Sequence, residues 1–326
     1  MKKIAQTQKL FFAPSRLHGK FYLQKFLKSR FICIAFLLMF ALFFTDCKSE
    51  TNQLQRNVPT REVFDDLGHS VKIPATVERA VSLAPNLTEI VFAVGAGDRL
   101  VGVTTYCNYP AQAQEIRKIG DTINPNIETI IALKPQIVLV STASQIETFT
   151  RQLEQQNIAV FVTNPNGLDD IYKSVEKIGE LFGRQENACQ VVGNMQKRVA
   201  DIQAKTNTVN RVTVFLQISK EPLVTVGKAT FFTDLIERAG GISLTKDVAT
   251  AYPRLSKETA LALNPEAIIL SDSEDNREPN DVFKNSPAVK NGKVFRVDAD
   301  ILSRPAPRIV DALELIARDL HPESFR

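Results

Sequence analysis

Thirteen residues of this chain recur without a gap 130 positions further along. Glu128-Thr-Ile-Ile-Ala-Leu-Lys-Pro-Gln-Ile-Val-Leu-Val140 aligns with Glu258-Thr-Ala-Leu-Ala-Leu-Asn-Pro-Glu-Ala-Ile-Ile-Leu270, and five of the positions are identical. An offset of that length is about one domain, so it marks a duplicated lobe rather than the short period of a solenoid. Each copy describes a helix entered from a capping residue, Asn126 or Ser256, stopped before proline and followed by a buried strand. From Val71 onward short apolar runs alternate with amphipathic ones, the grammar of α/β domains with parallel sheets. Strands are expected at 80–83, 137–140, 159–162, 212–217, 267–270 and 294–297. Helices are expected at 87–94 (closed by Gly95), around 145–155, and at 231–239.

Residues 168–206 carry almost no strand signal. Gly183 divides them, leaving 184–205 as one amphipathic helix of about 33 Å. The expected architecture is therefore two Rossmann-like α/β lobes with mainly parallel sheets, joined by one long backbone helix. The N-terminal lobe is placed at 71–183, the connecting helix at 184–206 and the C-terminal lobe at 207–326. Such lobes enclose a cleft without a flexible hinge.

Charge is unevenly distributed. Residues 1–46 hold eight Lys and Arg and one acid, Asp46, whereas the rest of the chain has 32 basic and 35 acidic residues, a net of −3. The body is mildly acidic, which argues against nucleic-acid binding. The basic segment leads into an apolar run at 31–44, about 21 Å as a helix against a hydrocarbon core of roughly 30 Å. This is the pattern of a secretory signal, expected over 1–46. Phe44-Thr-Asp-Cys47 follows, then a polar tether and lead-in over 47–70. A cysteine in that place resembles a bacterial lipoprotein processing site, although Phe44 and Asp46 stand where Leu and a small residue are usual. Cys47 is the expected lipid-attachment residue, and the protein is expected outside the cytoplasm, in the periplasm or on the outer face of the cytoplasmic membrane.

The chemistry-bearing residues exclude more than they include. Three histidines are scattered at 18, 69 and 321, so a site built on several imidazoles is not expected. Gly95-Ala-Gly97-Asp-Arg-Leu-Val-Gly102 follows a helix, where a dinucleotide fingerprint must follow a strand. No nucleophile elbow, phosphate loop or His-dependent triad is present, and Cys107 reads as a small buried hydrophobe. What remains are loops after strands, at 84–86, 104–109, 217–223, 252–253 and 299–308, where ligands of open α/β sheets bind. They carry Tyr106, Tyr109, Tyr252, Asp300 and Arg304, a set suited to a large, flat, amide-rich ligand.

Arg79-Ala-Val-Ser-Leu-Ala-Pro-Asn-Leu-Thr-Glu-Ile-Val-Phe-Ala-Val-Gly95 and Val101-Gly-Val-Thr-Thr-Tyr-Cys-Asn-Tyr-Pro110 resemble the helical-backbone (class III) substrate-binding proteins of ABC importers. That family serves cobalamin, ferric siderophores and haem, and the chain is most similar to its cobalamin binders, over nearly all of 78–318. By that resemblance Tyr106 and Tyr252, the aromatic before Pro253, pack against a corrin, and Asp300 and Arg304 supply polar contacts. Thr122 stands where the cobalamin binders carry Trp, and the chain has no Trp at all. Glu128 and Glu258 match the acidic pair that docks on arginines of the permease. Two carboxylates near helix starts also fit a macrodipole role, so spacing alone leaves both open. A symmetric pair, one per lobe, suits a two-fold permease dimer.

The resemblance thus implies a monomeric, lipid-anchored receptor. It has no catalysis and no cofactor of its own, binds cobalamin, and hands it to an ABC permease with its ATPase. A siderophore or haem receptor of the same class is the nearest alternative, and an envelope enzyme or metallochaperone on the same scaffold the more distant one.

Overall fold

The computed structural model describes residues 59–141, 146–228 and 230–326, without the side chains of 146–149; Cys47 and the whole signal segment lie outside them. In chain order the first half holds β1 (Thr60–Phe64), β2 (Ser70–Pro74), β3 (Ala80–Ser82), α1 (Pro85–Ala93), β4 (Leu100–Val103), α2 (Ile127–Ala132), β5 (Ile137–Ser141), α3 (Ile146–Gln155), β6 (Ala159–Thr163) and α4 (Leu168–Leu181). Helix α5 (Gln185–Thr206) follows. The second half holds β7 (Val212–Gln217), α6 (Phe231–Arg238), β8 (Gly241–Ser243), α7 (Lys257–Leu263), β9 (Ala267–Asp272), α8 (Pro287–Lys290), β10 (Val294–Asp298), α9 (Ala299–Leu302) and α10 (Ile309–Leu320).

Two four-stranded parallel sheets result, ordered β4-β3-β5-β6 and β10-β9-β7-β8. The duplicated motif supplies an inner strand in each, β5 beside β3 and β9 beside β7. Its caps form as expected: Asn126 Oδ1 accepts from the Thr129 N–H at 2.8 Å, and Ser256 Oγ from the Thr259 N–H at 3.1 Å.

Both faces of each inner strand are buried, and the two-residue period sorts the side chains. Ile137 and Leu139 of β5 and Ala267 and Ile269 of β9 enter one continuous core. Val138 and Val140 pack beneath the outer helices of the first lobe, and Ile268 and Leu270 beneath those of the second. The central core runs from Val63 to Leu320 and includes Ala188, Val192, Met195, Val199 and Ile202 of α5. Those five are spaced four, three, four and three apart, one face of a helix. Helix α5 packs against α1 and α4 of one lobe and α6 and α10 of the other. Moving the lobes apart would open this shared core, so the cleft between them has a set width.

Gly179 on α4 shows how closely α4 and α5 approach: a Cβ there would stand 2.4 Å from the Ala188 Cβ. Gly179→Ala is expected to cost about 1–3 kcal/mol through overpacking, read as a fall of several degrees in Tm. Gly193→Ala on α5, where nothing lies within 4 Å, should leave Tm unchanged or slightly raised.

The lead-in expected over 47–70 is corrected by the hairpin. Strands β1 and β2 pair antiparallel from Thr60↔Pro74 to Phe64↔Ser70, so the folded part begins before Val71. The hairpin is pinned to β6 by the Asp66 N–H donating to the Val162 carbonyl at 3.0 Å, and to α4 by Lys177 Nζ, 2.6 Å from Asp66 Oδ1.

Candidate functional site

A cleft of about 720 Å³ lies at the carboxyl ends of the strands, where the switch points of open α/β sheets place ligands. The N-terminal lobe contributes the turn after β3, the loop after β4, Thr122, Ser141 and the turn 164–166; the C-terminal lobe contributes Phe231, Tyr252 and the segment 299–305. A larger hollow of about 1260 Å³ opens beneath the β1–β2 hairpin, lined by hairpin residues such as His69 and by Gln136 and Ile158, just before the amino ends of β5 and β6. It holds none of the expected site residues and lies at the opposite strand ends.

Tyr106 and Tyr252 enter the cleft from different lobes, 60% and 53% exposed. Such exposure is high for an aromatic on a well-packed scaffold and leaves ring faces available to a flat ligand. Tyr252 is braced edge-on by Phe232 at 6.4 Å, and partial burial pushes its phenol pKa upward. The other wall groups are largely neutral amides and hydroxyls: Asn86, Asn108, Asn164, Asn166, Thr105 and Ser303.

Asp300 and Arg304 also line the cleft, and they are joined. Arg304 is only 7% exposed and lies 2.6 Å from Asp300 Oδ1. It donates to Asn108 Oδ1 at 2.7 Å and to Glu89 Oε1 at 2.9 Å. Asn108 Nδ2 in turn donates to Asp300 Oδ2 at 2.7 Å, so one amide reads both charged partners across the lobes. Arg308 donates to both oxygens of Glu89, at 2.9 and 2.6 Å. Its guanidinium lies 3.8 Å over the Tyr109 ring, and Glu89 raises its pKa.

The structure therefore brings Tyr106, Tyr252, Asp300 and Arg304 together in one cleft wall. Tyr109 is not in the wall but under Arg308. The 217–223 loop is a correction: none of it lines the cleft, and Gln217 is fully buried, donating to Asn276 Oδ1 at 2.7 Å and accepting from the Asn280 N–H at 2.8 Å. Cys107 is buried as expected, yet it has polar company, with Thr88 and Thr104 hydroxyls 3.1 and 3.2 Å from its sulfur. Sequence reasoning placed Asn86 and Asn108 in cleft loops without giving them a role, and missed Asn164, Asn166 and Glu89. Glu89 had left a signal, a lone carboxylate in the apolar run that became α1.

Glu128 and Glu258 are exposed, one in the first turn of each repeat helix, and neither lines the cleft. Hydrogen bonds from its own backbone N–H and from Ser256 hold the Glu258 carboxyl below its usual pKa. A helix leading into a parallel strand runs back along the sheet, so both first turns lie toward the strand carboxyl ends, the cleft side. Among the described residues there is no group of three His, Cys, Asp or Glu able to hold a metal ion, and no helix long and apolar enough to cross a membrane.

Three comparisons bear on this geometry. The chain is 33% identical over 307 residues, covering 90% of itself and 97% of the relative, to an uncharacterized ABC transporter substrate-binding lipoprotein, YvrC, of Bacillus subtilis (strain 168). It is 29% identical over 241 residues to a vitamin B12-binding protein of Vibrio parahaemolyticus, covering 73% and 87% of the two chains. The crystal structure of the periplasmic vitamin B12 binding protein BtuF of Vibrio cholerae superposes with a TM-score of 0.67 at 27% identity, over 78% of this chain and all of that one. The periplasmic binding protein family model matches residues 81–301. With the two-lobed fold, the single connecting helix and the cleft at the strand ends, these matches show that the chain belongs to the periplasmic binding protein family, as the substrate-binding component of an ABC transporter.

Proposed function

We propose that the chain is an extracytoplasmic receptor that binds cobalamin between Tyr106 and Tyr252 and delivers it to an ABC permease, working as a monomer held to the membrane through Cys47. The observation that carries this reading is the character of the cleft. Two exposed tyrosine rings approach from opposite lobes, the walls are rich in amides, and the charged residues Asp300 and Arg304 are already paired with each other. A corrinoid offers a broad apolar ring bordered by carboxamides. Stacking faces suit the ring, and Asn side chains, each both donor and acceptor, suit the carboxamides. The names of the vitamin B12-binding relatives support the same ligand. Thr122 also lines the wall and adds a hydroxyl to it. Titration of the purified protein with cobalamin, haemin and a ferric siderophore tests the ligand.

The anchor has its own test. A processed lipoprotein cysteine carries more than one acyl chain, and two chains anchor stably where one does not. Cys47→Ser is expected to move the protein from the membrane to the soluble envelope fraction. Unchanged fractionation would remove Cys47 from the account. Glu128 and Glu258 are proposed as the permease contacts, supported by their exposure and by their equivalent places on the two lobes.

A further inference from the structure

We propose that Glu89 decides which ligands the cleft accepts without touching them: it fixes Arg304 in the wall and cancels its charge, so that the site takes neutral amide groups and turns carboxylates away. The proposal deepens the cobalamin reading and rests on the same cleft.

Glu89 lies on α1, a helix with six consecutive buried residues from Asn86 to Val91, and is itself 3% exposed. A carboxylate in such a place persists only when paired and hydrogen-bonded. Its partners come from the other lobe, 215 and 219 residues away in sequence: Arg304 on one oxygen and Arg308 on both. Asp300 completes the group through Arg304. Two guanidinium groups thus meet two carboxylates, and the cluster is neutral. Among the described residues lining the cleft, Asp300 and Arg304 are the charged ones, so this cluster sets the charge that a ligand meets.

A ligand carboxylate reaching Arg304 would find two carboxylates already on that guanidinium, Glu89 and Asp300. Like-charge repulsion inside a partly desolvated cleft opposes it. A carboxamide meets no such opposition and can bond to Asn108, Asn86 or Ser303. Selection of this kind works by exclusion as much as by attraction. Arg308 matters to the balance although it does not line the cleft: it supplies the second cation and is held by the Tyr109 face.

The test uses purified wild type, Glu89→Gln and the double variant Glu89→Gln with Arg308→Met, each titrated with cyanocobalamin and with haemin, which carries carboxylates. Glu89→Gln keeps the shape and leaves the cluster one positive charge in excess. Its ratio of haemin to cobalamin affinity is expected to rise about tenfold or more. The double variant removes one cation as well as one anion and should return the ratio to within about threefold of wild type. This restoration also covers the case in which Glu89→Gln alone folds poorly for want of a partner to its arginines. An unchanged ratio in Glu89→Gln overturns the proposal. So does a parallel loss of both affinities, or a double variant that stays shifted, because a purely structural tie would behave in those ways. If wild type binds no cobalamin, the corrinoid reading falls, while the haemin affinity of Glu89→Gln against wild type still decides the role of Glu89.

Discussion

Reversing both repeat glutamates, Glu128→Lys together with Glu258→Lys, is expected to lower cobalamin uptake by about tenfold or more while ligand affinity and Tm stay close to wild type. Both residues are exposed in helix first turns and lie outside the cleft wall, so neither ligand nor core should register the change. On the proposed docking, what changes is the surface offered to the permease. A lysine facing a permease arginine replaces attraction with repulsion, and each lobe would meet its own half of a two-fold partner. The double variant should therefore be worse than either single one. Uptake of labelled cobalamin, beside calorimetry and thermal melts on the same variants, gives the answer. Normal uptake would reduce both residues to helix-start carboxylates, and lost ligand affinity would place them at the cleft instead.

The second large effect belongs to the tyrosines. Tyr106→Ala and Tyr252→Ala are each expected to weaken cobalamin binding by about 1–3 kcal/mol, some 5–150-fold, with little change in Tm. The tyrosines are more than half exposed, so truncation removes ligand contact area rather than core. Tyr252 rests against Phe232, and its loss should be the more costly of the two to the local wall. Because they stand on different lobes, the double variant should be close to additive, at least ~30-fold weaker than wild type. Wild-type affinity in both single variants would move the ligand out of this cleft.

Much of this was legible in the chain itself, for reasons that can be named. The repeat at 128–140 and 258–270 fixed a two-lobed α/β arrangement because β5 and β9 are apolar on both faces, which only a covered parallel sheet tolerates. The connecting helix was visible in its apolar residues every three or four positions, and the structure sets it at Gln185–Thr206. The hairpin was not visible. Thr60–Phe64 places Arg61 and Glu62 among its five residues and buries little beyond Val63, so it reads as polar tether. Gln217 misled for a different reason: a polar residue closing a strand looks like a cleft residue, yet its partners Asn276 and Asn280 lie 59 and 63 residues away. The asparagines at 164 and 166 read as turn formers, which local sequence cannot separate from ligand contacts. Glu89 was part of a correctly expected helix, but its meaning depends on two arginines beyond 300 that no local pattern connects to it.

The most direct measurement is a calorimetric titration of the purified protein with cyanocobalamin, run beside haemin and a ferric hydroxamate siderophore. A cleft with paired charges, amide-lined walls and a tyrosine from each lobe should bind one cobalamin per chain at about 1 μM or tighter and bind the other two at least about tenfold more weakly. Saturable binding of haemin or siderophore with no response to cobalamin would contradict the account.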